Sequence, residues 1–335
     1  MSDKIEIYKI LDKVISECKS NWISLSGGLD SSIIGYFIKN RSPNSLAIIT
    51  KDFLGADLTY SQIIAKHLNM PLEISYVSTE QILDGIKNTI KILKNFNDIE
   101  IRNSVVMYMS LETLHSRNVK TVLTGDGADE IFAGYNFLLN KSTEELEEEL
   151  KRIRKVMHFS SQEIAKTFGI KIESPFLDKR IIDFSDTIPI SMMVNNKNEK
   201  VFGKWILRKA FEEYLPKSIV WREKSPMQNG AGTVGLSELF ESIISDEIFA
   251  KKTEKIKTDD DVIIRSKESL HYYEIFKENF EIPEKPNTGK NYCPDCNSKI
   301  GENSKFCRMC GKFPIYFLYF RGFLIKIFLQ PLQQK

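Results

Sequence analysis

The sequence predicts an α/β fold built on a doubly wound parallel sheet, with a helical C-terminal half and a small cysteine-containing module. Two observations predict it. Short apolar runs alternate with segments of helical spacing through the first part of the 335-residue chain, which is the pattern of parallel strands joined by crossover helices. Two Cys-x-x-Cys pairs then lie close together near the C-terminus, a spacing typical of a metal-held module.

The alternation of strands and helices can be followed along the chain. Each helix returns the chain to the same end of the sheet, so consecutive strands lie parallel. The predicted strands cover 21–26, 45–50, 72–78 and 119–124, and the predicted helices cover about 29–40, 57–69, 79–94 and 101–117. Ser142 and Glu145 match a capping box that begins a further helix over 142–157. From about 160 to 245 the pattern is mainly helical.

Composition and apolar patterning limit the class of protein, whereas net charge does not. The chain carries 47 basic and 45 acidic side chains, a formal net charge of +2, so its global field argues neither for nor against nucleic acid. The first residues lack the apolar core of a secretory signal, and no run before residue 313 approaches the ~20 apolar residues of a membrane-spanning helix. Together with cysteines spaced for metal, these features predict a cytoplasmic protein.

A glycine-rich turn follows the first predicted strand, in the stretch SLSGGLDSSIIGYF from Ser24 to Phe37. Such a turn directs backbone N–H groups at an anion, and the hydroxyls of Ser26, Ser31 and Ser32 add donors, so the loop suits a phosphate or pyrophosphate. It lacks the lysine of the common nucleoside-triphosphate loop, and a plain strand-to-helix turn is the structural alternative. Asp30 favours the phosphate interpretation, because a carboxylate beside a polyphosphate can hold the accompanying Mg²⁺.

A second glycine-bearing loop, LTGDGADEIFAGY (123–135), follows the fourth predicted strand. In an open α/β sheet, ligands bind beyond the carboxyl ends of the strands, so both loops would face one crevice. Asp126, Asp129 and Glu130 add carboxylates there, although Glu130 alone is equally explained as an acidic helix start. Together the two loops predict a cleft for magnesium and a polyphosphate.

Five motifs together resemble a known family. The SGGLDSS stretch is similar to the pyrophosphate loop of the PP-loop ATP-pyrophosphatase superfamily, and four others resemble the synthetase domain of asparagine synthetases and the related β-lactam synthetases. These four are TGDGADEIFAGY, SPFLDKRIIDF, KWILRKAFEEYLP and VWREKSPMQNGAG, and the resemblance covers roughly residues 20–240. It implies a PP-loop fold and an enzyme that adenylates a carboxylate with ATP, releases pyrophosphate and lets an amine attack the activated carbonyl.

The resemblance also implies roles for particular residues. Lys224 matches the lysine that stabilises charge on the reacting phosphate and acyl centre, although an isolated lysine is usually a solvated surface residue. Asp126 takes the position of a glutamate that supports adenylate formation, while Asp30 and Asp129 would bind Mg²⁺. Leu25, Thr50, Thr124 and Gly125 would line the nucleotide, and the pyrophosphate would be held by Ser26, Gly27, Gly28, Ser31 and Ser32.

The sequence departs from the family pattern in three respects. Members that make asparagine from glutamine begin with a cysteine after the initiator methionine and carry a glutaminase domain, whereas Met1 is followed here by Ser2. We therefore expect no glutamine-hydrolysing site. Cys18 lies in an apolar-periodic helix without a nearby histidine, which favours a core thiol over a nucleophile. Asp126 in place of glutamate, and Glu173 where an arginine usually precedes the PFLD motif, leave the identity of the carboxylate substrate open.

The C-terminal cysteines have the spacing C-x2-C-x10-C-x2-C and resemble a zinc ribbon. Four thiolates fill a tetrahedral Zn²⁺ site, so the metal would be structural and would fold a piece too small to bury its own core. Four free surface cysteines are the alternative. The predicted zinc ligands are Cys293, Cys296, Cys307 and Cys310.

These features divide the chain into five predicted segments. The last segment contains the stretch FPIYFLYFRGFLIKIFLQ, which is apolar but short for a membrane span. We expect it to pack on the parent domain or on a partner, and an interfacial membrane anchor is the alternative. The segments are an N-terminal helix (1–19), an asparagine synthetase-like ATP-pyrophosphatase domain (20–245), a helical and polar linker (246–290), a zinc ribbon (291–312) and an apolar tail (313–335).

The predicted function is that of an asparagine synthetase-like ligase with ATP as substrate and Mg²⁺ and Zn²⁺ as metals. It would adenylate aspartate or a similar carboxylate and form an amide with ammonia, taken from solution or from a separate glutaminase. A second hypothesis gives it a larger amine, or a tRNA or carrier protein docked by the ribbon. A third makes it a degenerate synthetase acting as a scaffold, which the intact SGGLDSS loop, Asp129 and Lys224 argue against. No role is assigned to the dispersed histidines His67, His115, His158 and His271.

Overall fold

The computed structural model of the protein describes residues 2–284, 291–302, 304–315, 318–320 and 323–325. The chain divides into two compact units. The first unit comprises residues 1–85 and 103–235, and the second comprises residues 86–102 and 236–335. This division assigns the segment predicted as a linker and the predicted ribbon to the same compact unit.

A five-stranded sheet with the order β3-β2-β1-β4-β5 forms the centre of the first unit. All four strand pairings are parallel, which confirms the predicted α/β class and the four predicted strands. The strands are β1 (Trp22–Ser24), β2 (Asn44–Thr50), β3 (Leu72–Val77), β4 (Thr121–Leu123) and β5 (Lys171–Glu173). The fifth strand falls in the segment interpreted as helical and was not predicted.

The strand order reverses at β1. The chain runs outward from β1 through β2 to β3 and then returns to β4 on the other side of β1, where Ile23 is paired with both Ser45 and Leu123. With right-handed crossovers, this reversal puts the connecting helices on opposite faces and opens a crevice beyond the carboxyl ends of β1 and β4. The two glycine-rich loops leave the sheet at those two strand ends.

Sixteen α-helices are present in the part of the chain that the structure describes. Those up to residue 235 are α1 (Ser2–Glu17), α2 (Leu29–Ile38), α3 (Asp57–Leu68), α4 (Thr79–Leu93), α5 (Asp98–Ser116), α6 (Ala128–Ile131), α7 (Thr143–Val156), α8 (Ser160–Phe168), α9 (Lys179–Thr187), α10 (Ile190–Met193), α11 (Trp205–Phe211), α12 (Lys217–Val220) and α13 (Met227–Ala231). The others are α14 (Leu236–Ile243), α15 (Asp246–Asp260) and α16 (Lys267–Asn279). Two of the three boundaries between the units fall inside α4 and α5, and the third precedes α14.

Helix α7 begins at the predicted capping box. Ser142 N donates to Glu145 Oε2 at 3.0 Å, and Glu145 N donates to Ser142 Oγ at 3.2 Å. These reciprocal bonds satisfy two backbone donors that a helix start otherwise leaves free. The helix buries Leu146, Leu150 and Ile153, which recur at the spacing of one helical face.

The core of the first unit also includes the N-terminal helix. Ile7, Leu11, Val14 and Ile15 of α1 are buried with the apolar side chains of β1 and α2. The ring of Tyr8 stacks on Phe211 of α11 at a centroid distance of 5.7 Å. Residues 2–17 therefore contribute to the same core as the sheet.

A small antiparallel hairpin, β6 (Asn195–Lys197) and β7 (Lys200–Phe202), lies in the segment interpreted as mainly helical. Its two turn residues, Asn198 and Glu199, have φ values of +50° and +66°. Two successive residues with positive φ are characteristic of the type I′ turn that matches the twist of a hairpin. The segment 160–245 is mainly helical, as predicted, but the three short strands β5, β6 and β7 within it were not predicted.

The second unit has a core of its own, to which the predicted linker contributes. Helix α16 buries eight residues, and Tyr273 packs edge-to-face on Phe96 at a centroid distance of 5.1 Å. Residues 285–290 of that segment lie outside the described residues. In the predicted apolar tail, β8 (Leu318–Phe320) and β9 (Phe323–Ile325) pair antiparallel. The predicted packing of this tail on the parent domain or a partner concerns side chains outside the described part of the chain, so it stays a prediction. Among the described residues, no helix combines the length and apolarity needed to cross a membrane.

Candidate active site

A cavity of about 270 Å³ lies at the carboxyl edge of β1 and β4, between the two glycine-rich loops. Its wall brings together most of the residues predicted from the sequence, although they come from distant parts of the chain. The predicted residues in the wall are Leu25, Ser26, Gly28, Asp30, Ser31, Thr124, Gly125, Asp126, Asp129 and Lys224. Gly27, Ser32 and Thr50 are not part of this wall.

Those three residues shape the loops around the cavity. Gly27 has φ +71°, and a Cβ atom on it would stand 2.3 Å from the carbonyl carbon of Tyr60, so only glycine fits. Ser32 is buried and its Oγ donates to Gly28 O at 2.7 Å. Thr50 Oγ1 donates to the carbonyl oxygen of Phe53 at 2.8 Å. Their predicted roles as ligands of the nucleotide stay predictions.

The first loop presents the start of α2 to the cavity. Gly28 is the N-cap residue of this helix, and no side chain caps the first-turn N–H groups. The Ser26 and Ser31 hydroxyls lie 3.3 Å apart beside them. Free N–H groups at the positive end of a helix, flanked by hydroxyl donors, form an environment that suits an anion.

Two carboxylates and two ammonium groups meet at the mouth of these loops. Lys204 Nζ lies 2.6 Å from Asp30 Oδ2 and 2.8 Å from Asp129 Oδ1. Lys224 Nζ lies 2.6 Å from the other oxygen, Asp129 Oδ2. Asp30 belongs to the first turn of α2 and Asp129 to the first turn of α6, so the predicted convergence of the two acidic loops is observed.

The charges of this cluster support one another. Burial alone would raise the pKa of Asp129, but the neighbouring ammonium groups of Lys204 and Lys224 hold it well below its usual range. Burial alone would lower the pKa of Lys224, but the carboxylates of Asp129 and Asp30 raise it. Asp129 and Lys224 are therefore a charged pair at neutral pH, and each stabilises the charge of the other.

Lys204 was not singled out from the sequence, yet it is the most buried of the four charged groups, with a side chain 4% exposed. It has φ +54°, a left-handed conformation that is uncommon outside glycine. Gly203 before it admits no side chain, because a Cβ atom would stand 1.9 Å from Ala133 O. The Gly-Lys pair directly before a helical pattern was the available signal, but a single lysine ordinarily indicates a solvated surface.

Arg208 of α11 holds the backbone that directly precedes each of the two lysines. Its guanidinium donates to Gly203 O at 2.8 Å, to Arg222 O at 2.9 Å and to Val220 O. Burial lowers its pKa to about 10, so it stays charged at neutral pH. The planar guanidinium of Arg208 thereby fixes the segment that carries Lys204 against the segment that carries Lys224.

A second buried ion pair anchors the Lys224 segment to α3. Arg222 Nη2 lies 2.8 Å from Asp57 Oδ1, and its guanidinium lies 3.9 Å from the centroid of the Tyr60 ring. Gly230 approaches this pair so closely that a Cβ atom on it would stand 2.1 Å from Asp57 Oδ2. Asp57 and Arg222 are both in the cavity wall, and the sequence analysis did not identify them.

The other acidic side chains of the second loop have neutral partners. Asp126 Oδ2 accepts a hydrogen bond from Ser161 Oγ at 2.7 Å, and burial raises the pKa of this carboxyl. Glu130 accepts a short hydrogen bond from the Tyr135 hydroxyl, and burial raises its pKa as well. Both carboxyl groups line the cavity without a lysine or arginine contact of their own among the described residues.

Two residues discussed from the sequence lie away from the cavity. Glu173 Oε2 accepts hydrogen bonds from the backbone N–H groups of Lys19 and Ser20, both at 2.9 Å, so it fastens the connection between α1 and β1. Cys18 Sγ donates to Val14 O at 3.6 Å, and burial raises the pKa of this thiol to about 11. A thiol of this kind is a poor nucleophile at neutral pH.

The four predicted zinc ligands form a compact cluster in the second unit. Cys293, Cys296, Cys307 and Cys310 are buried, and their sulfur atoms all lie within 4.8 Å of one another. The Cys293–Cys310 and Cys296–Cys307 sulfur pairs are each 3.6 Å apart. Four sulfurs at ~2.3 Å from a tetrahedral Zn²⁺ would be about 3.8 Å apart, so the donor set fits this metal.

The fold and site together define an α/β protein whose candidate active site lies at a reversal of strand order. The asparagine synthase family profile matches residues 23–167 and 140–291. The chain therefore belongs to the asparagine synthase family, a family of ATP-dependent synthetases.

Individual relatives agree with this assignment. A probable glutamine-hydrolysing asparagine synthetase of Dictyostelium discoideum is 30% identical over 287 residues, covering 76% of this chain and 51% of that protein. Asparagine synthetase B of Escherichia coli K12 is 30% identical over 310 residues, covering 84% and 55%. The chain thus spans about half the length of the curated relatives it matches. Among solved structures, the NMN synthetase of Francisella tularensis aligns with a TM-score of 0.39 and 11% identity over 86% of this chain and 98% of that one, a likeness too slight to support an argument.

Proposed function

We propose that the protein is an ATP-dependent, amide-forming ligase that activates a small carboxylate as its acyl-adenylate, releases pyrophosphate and transfers the acyl group to ammonia. Aspartate or a similar amino acid is the carboxylate that family membership favours. The observation that carries the proposal is the convergence of Asp30, Asp129, Lys204 and Lys224 beside the uncapped start of α2. Such a cluster suits a polyphosphate whose charge grows as it leaves.

The proposed reaction has two steps. In the first, a carboxylate oxygen attacks the α-phosphorus of ATP, an O–P bond forms, and the bond from that phosphorus to the β-phosphate oxygen breaks, releasing pyrophosphate. In the second, the ammonia nitrogen attacks the acyl carbon, a C–N bond forms, and the C–O bond to AMP breaks. The attacking nitrogen loses a proton. Asp126, Glu130 and Tyr135 all line the cavity where this proton would be released.

The side chains of the cluster have separate tasks in this proposal. The N–H groups at the start of α2, with Ser26 and Ser31, bind the leaving pyrophosphate. Lys224 stabilises negative charge that develops at the reacting phosphate and acyl centre. The donor set also fits Mg²⁺, because Asp30 Oδ1 is a buried carboxylate oxygen without a hydrogen-bond partner among the described residues. Mg²⁺ held by Asp30 and Asp129 would neutralise phosphate charge.

The products decide whether this proposal is right. The protein, ATP and Mg²⁺ are incubated with ammonia and a panel of amino acids, and carboxylate-dependent exchange of labelled pyrophosphate into ATP is measured together with AMP. Exchange with at least one carboxylate is expected, and Asp30→Asn and Asp129→Asn should each abolish it. Asp183→Asn, which removes an exposed carboxylate on α9 paired with Lys179, is the matched control. Release of ADP and phosphate would refute adenylation.

We further propose that the cysteine cluster holds one structural Zn²⁺. Four buried thiolates leave no coordination position for a substrate, so the metal contributes folding energy rather than catalysis. In this proposal the ammonia comes from solution or from a separate glutaminase, and the cysteine module is the part that would dock a nucleic acid or protein partner. Metal analysis of the purified full chain tests the zinc proposal, with one zinc per chain expected.

A further inference from the structure

Three of the four oxygens of Asp30 and Asp129 are engaged by ammonium groups. The Lys204 ammonium forms ion pairs with Asp30 Oδ2 and Asp129 Oδ1, and the Lys224 ammonium forms one with Asp129 Oδ2. A divalent cation bound to both carboxylates needs oxygens from each of them. Lys204 is the group that bridges the two carboxylates. Asp30 Oδ1 is open to a metal, but at Asp129 Oδ1 a metal that binds both carboxylates would compete with the Lys204 ammonium.

The backbone around Lys204 keeps its ammonium at this position. Lys204 N donates to Phe132 O at 2.8 Å, which fixes the residue just before α11. A Cβ atom on Gly134 would stand 2.3 Å from Lys204 Cε, so the aliphatic stem runs through a channel that only glycine leaves open. With 4% of the side chain exposed, the ammonium has carboxylates or a ligand in the cavity as partners, and not bulk water.

We propose that Lys204 and a divalent cation are alternative occupants of the Asp30 and Asp129 pair, so that the metal binds with a polyphosphate and not before it. This inference rests on the proposed function for the identity of the two metal ligands. A polyphosphate resolves the competition, because its oxygens accept the Lys204 ammonium and also supply ligands to the metal.

Electrostatic repulsion favours Lys204 over a metal as long as no polyphosphate is bound. A divalent cation beside a buried ammonium would be repelled about twice as strongly as a monovalent cation at the same place. The cluster already has as many ammonium groups as carboxylates, so a metal alone would add uncompensated charge. A polyphosphate adds negative charge with the metal. By linkage, the nucleotide then raises the affinity for metal, and the metal raises the affinity for nucleotide by the same factor.

The test measures Mn²⁺ binding to the full chain by electron paramagnetic resonance, without nucleotide and without turnover. Wild-type protein should bind Mn²⁺ weakly, and Lys204→Met should bind it at least tenfold more tightly. Lys204→Arg, which keeps the charge, should stay as weak as wild type. The matched control is Lys224→Met, which also removes one positive charge but leaves the Lys204 bridge, and it should gain clearly less than Lys204→Met.

Two further measurements make the result specific. Adding Asp30→Asn to Lys204→Met should abolish the gained site, and Lys204→Gln serves as a second neutral variant if the Met variant does not fold. Wild-type protein that binds Mn²⁺ as tightly as Lys204→Met would overturn the inference, as would a gained site that survives Asp30→Asn. Failure of the proposed function is separate, because absence of AMP and pyrophosphate leaves these metal affinities measurable and unchanged.

Discussion

Gly134 lies so close to Asp129 that a Cβ atom built on it would stand 2.0 Å from Asp129 Oδ1. The same Cβ would also meet Lys204. The ion pair between Asp129 and Lys204 therefore exists in its observed form because residue 134 has no side chain. The geometry of the site depends on this glycine for space and not for an unusual backbone angle, since Gly134 is not among the glycines with positive φ.

Gly134→Ala should accordingly damage the site more than the fold. We expect turnover to fall at least tenfold, because displacement of a positioned charge by about 1 Å is costly for catalysis. The measurement is the rate of pyrophosphate release, with the thermal unfolding midpoint measured alongside. Gly169→Ala is the control, because Gly169 has φ +63° but nothing within 4 Å of its Cβ direction. It should lose about 1 kcal/mol of stability and retain turnover. Equal loss of turnover in both variants would contradict the prediction.

Lys224→Ala should reduce turnover by roughly 10²-fold or more while ATP affinity changes only a few-fold. The reason is that its ammonium is expected to stabilise charge that develops during reaction more than charge already present on bound ATP. Single-turnover rates and equilibrium binding of ATP separate the two effects. Lys200→Ala provides the control, because Lys200 forms an exposed ion pair with Glu223. A loss confined to ATP binding would show that the assigned role is wrong.

Glu268 should make the stability of the second unit depend on pH. This side chain is 2% exposed, and burial raises its pKa from 4.5 to about 7, with the Tyr272 hydroxyl donating to it at 2.7 Å. The folded state then binds the proton more tightly than the unfolded state. This stabilisation is fully present below pH 4.5, declines as pH rises toward 7, and is absent above it. The full effect is roughly 3 kcal/mol at most.

Glu268→Gln should remove this pH dependence, because the amide does not titrate. The measurement is urea unfolding of the full chain at pH 5 and pH 8, with hydrogen-exchange labelling of α16 to report on this helix. Glu278→Gln, an exposed position on the same helix, should leave the wild-type dependence intact. The assignment would be contradicted if the stability of α16 in wild-type protein, compared with that in Glu268→Gln, did not fall between pH 5 and pH 8.

Cys310→Ser should loosen the helices of the second unit as well as the cysteine module. The module is bonded within this unit through Phe96 N to Met309 O at 2.9 Å and Ile263 N to Asp295 O at 2.7 Å, and Arg265 donates to Cys310 O. Loss of zinc should therefore raise hydrogen exchange in α16 while ATP still binds to the first unit, which contains the whole cavity wall. Cys18→Ser is the control and should change neither zinc content nor exchange in α16. Loss of ATP binding in Cys310→Ser would show that the cavity depends on the metal.

Strands β1 to β4 could be predicted because they lie in apolar, β-leaning runs, as expected when both faces of a sheet are covered. Strand β5 could not, since its one apolar residue, Ile172, lies between the charged residues Lys171 and Glu173. The hairpin of β6 and β7 is polar, and its turn residues Asn198 and Glu199 lack the Asn-Gly signature of a type I′ turn. Helix α16 was taken as part of a linker because its charged residues mask a buried face.

The candidate site was predictable where motifs contain glycine and aspartate, because two such loops follow strands whose carboxyl ends meet at one edge of the sheet. Lys204, Arg208 and the pair of Asp57 and Arg222 were not found, because a single basic residue in a helical pattern looks like a surface residue. Their importance comes from tertiary contacts to carbonyl groups and carboxylates. Such contacts join residues that no local pattern connects.

The ion pairs of the cavity join residues that lie far apart in the sequence. Lys204 and Asp30 are separated by 174 residues, and Lys224 and Asp129 by 95 residues. Closing loops of that length costs conformational entropy before any contact compensates for it. A refolding chain can therefore form β1, β2 and β3 while the two carboxylates still lack their ammonium partners. Recovery of a working site should lag behind recovery of secondary structure, and an early collapsed state should carry an unbalanced negative cleft.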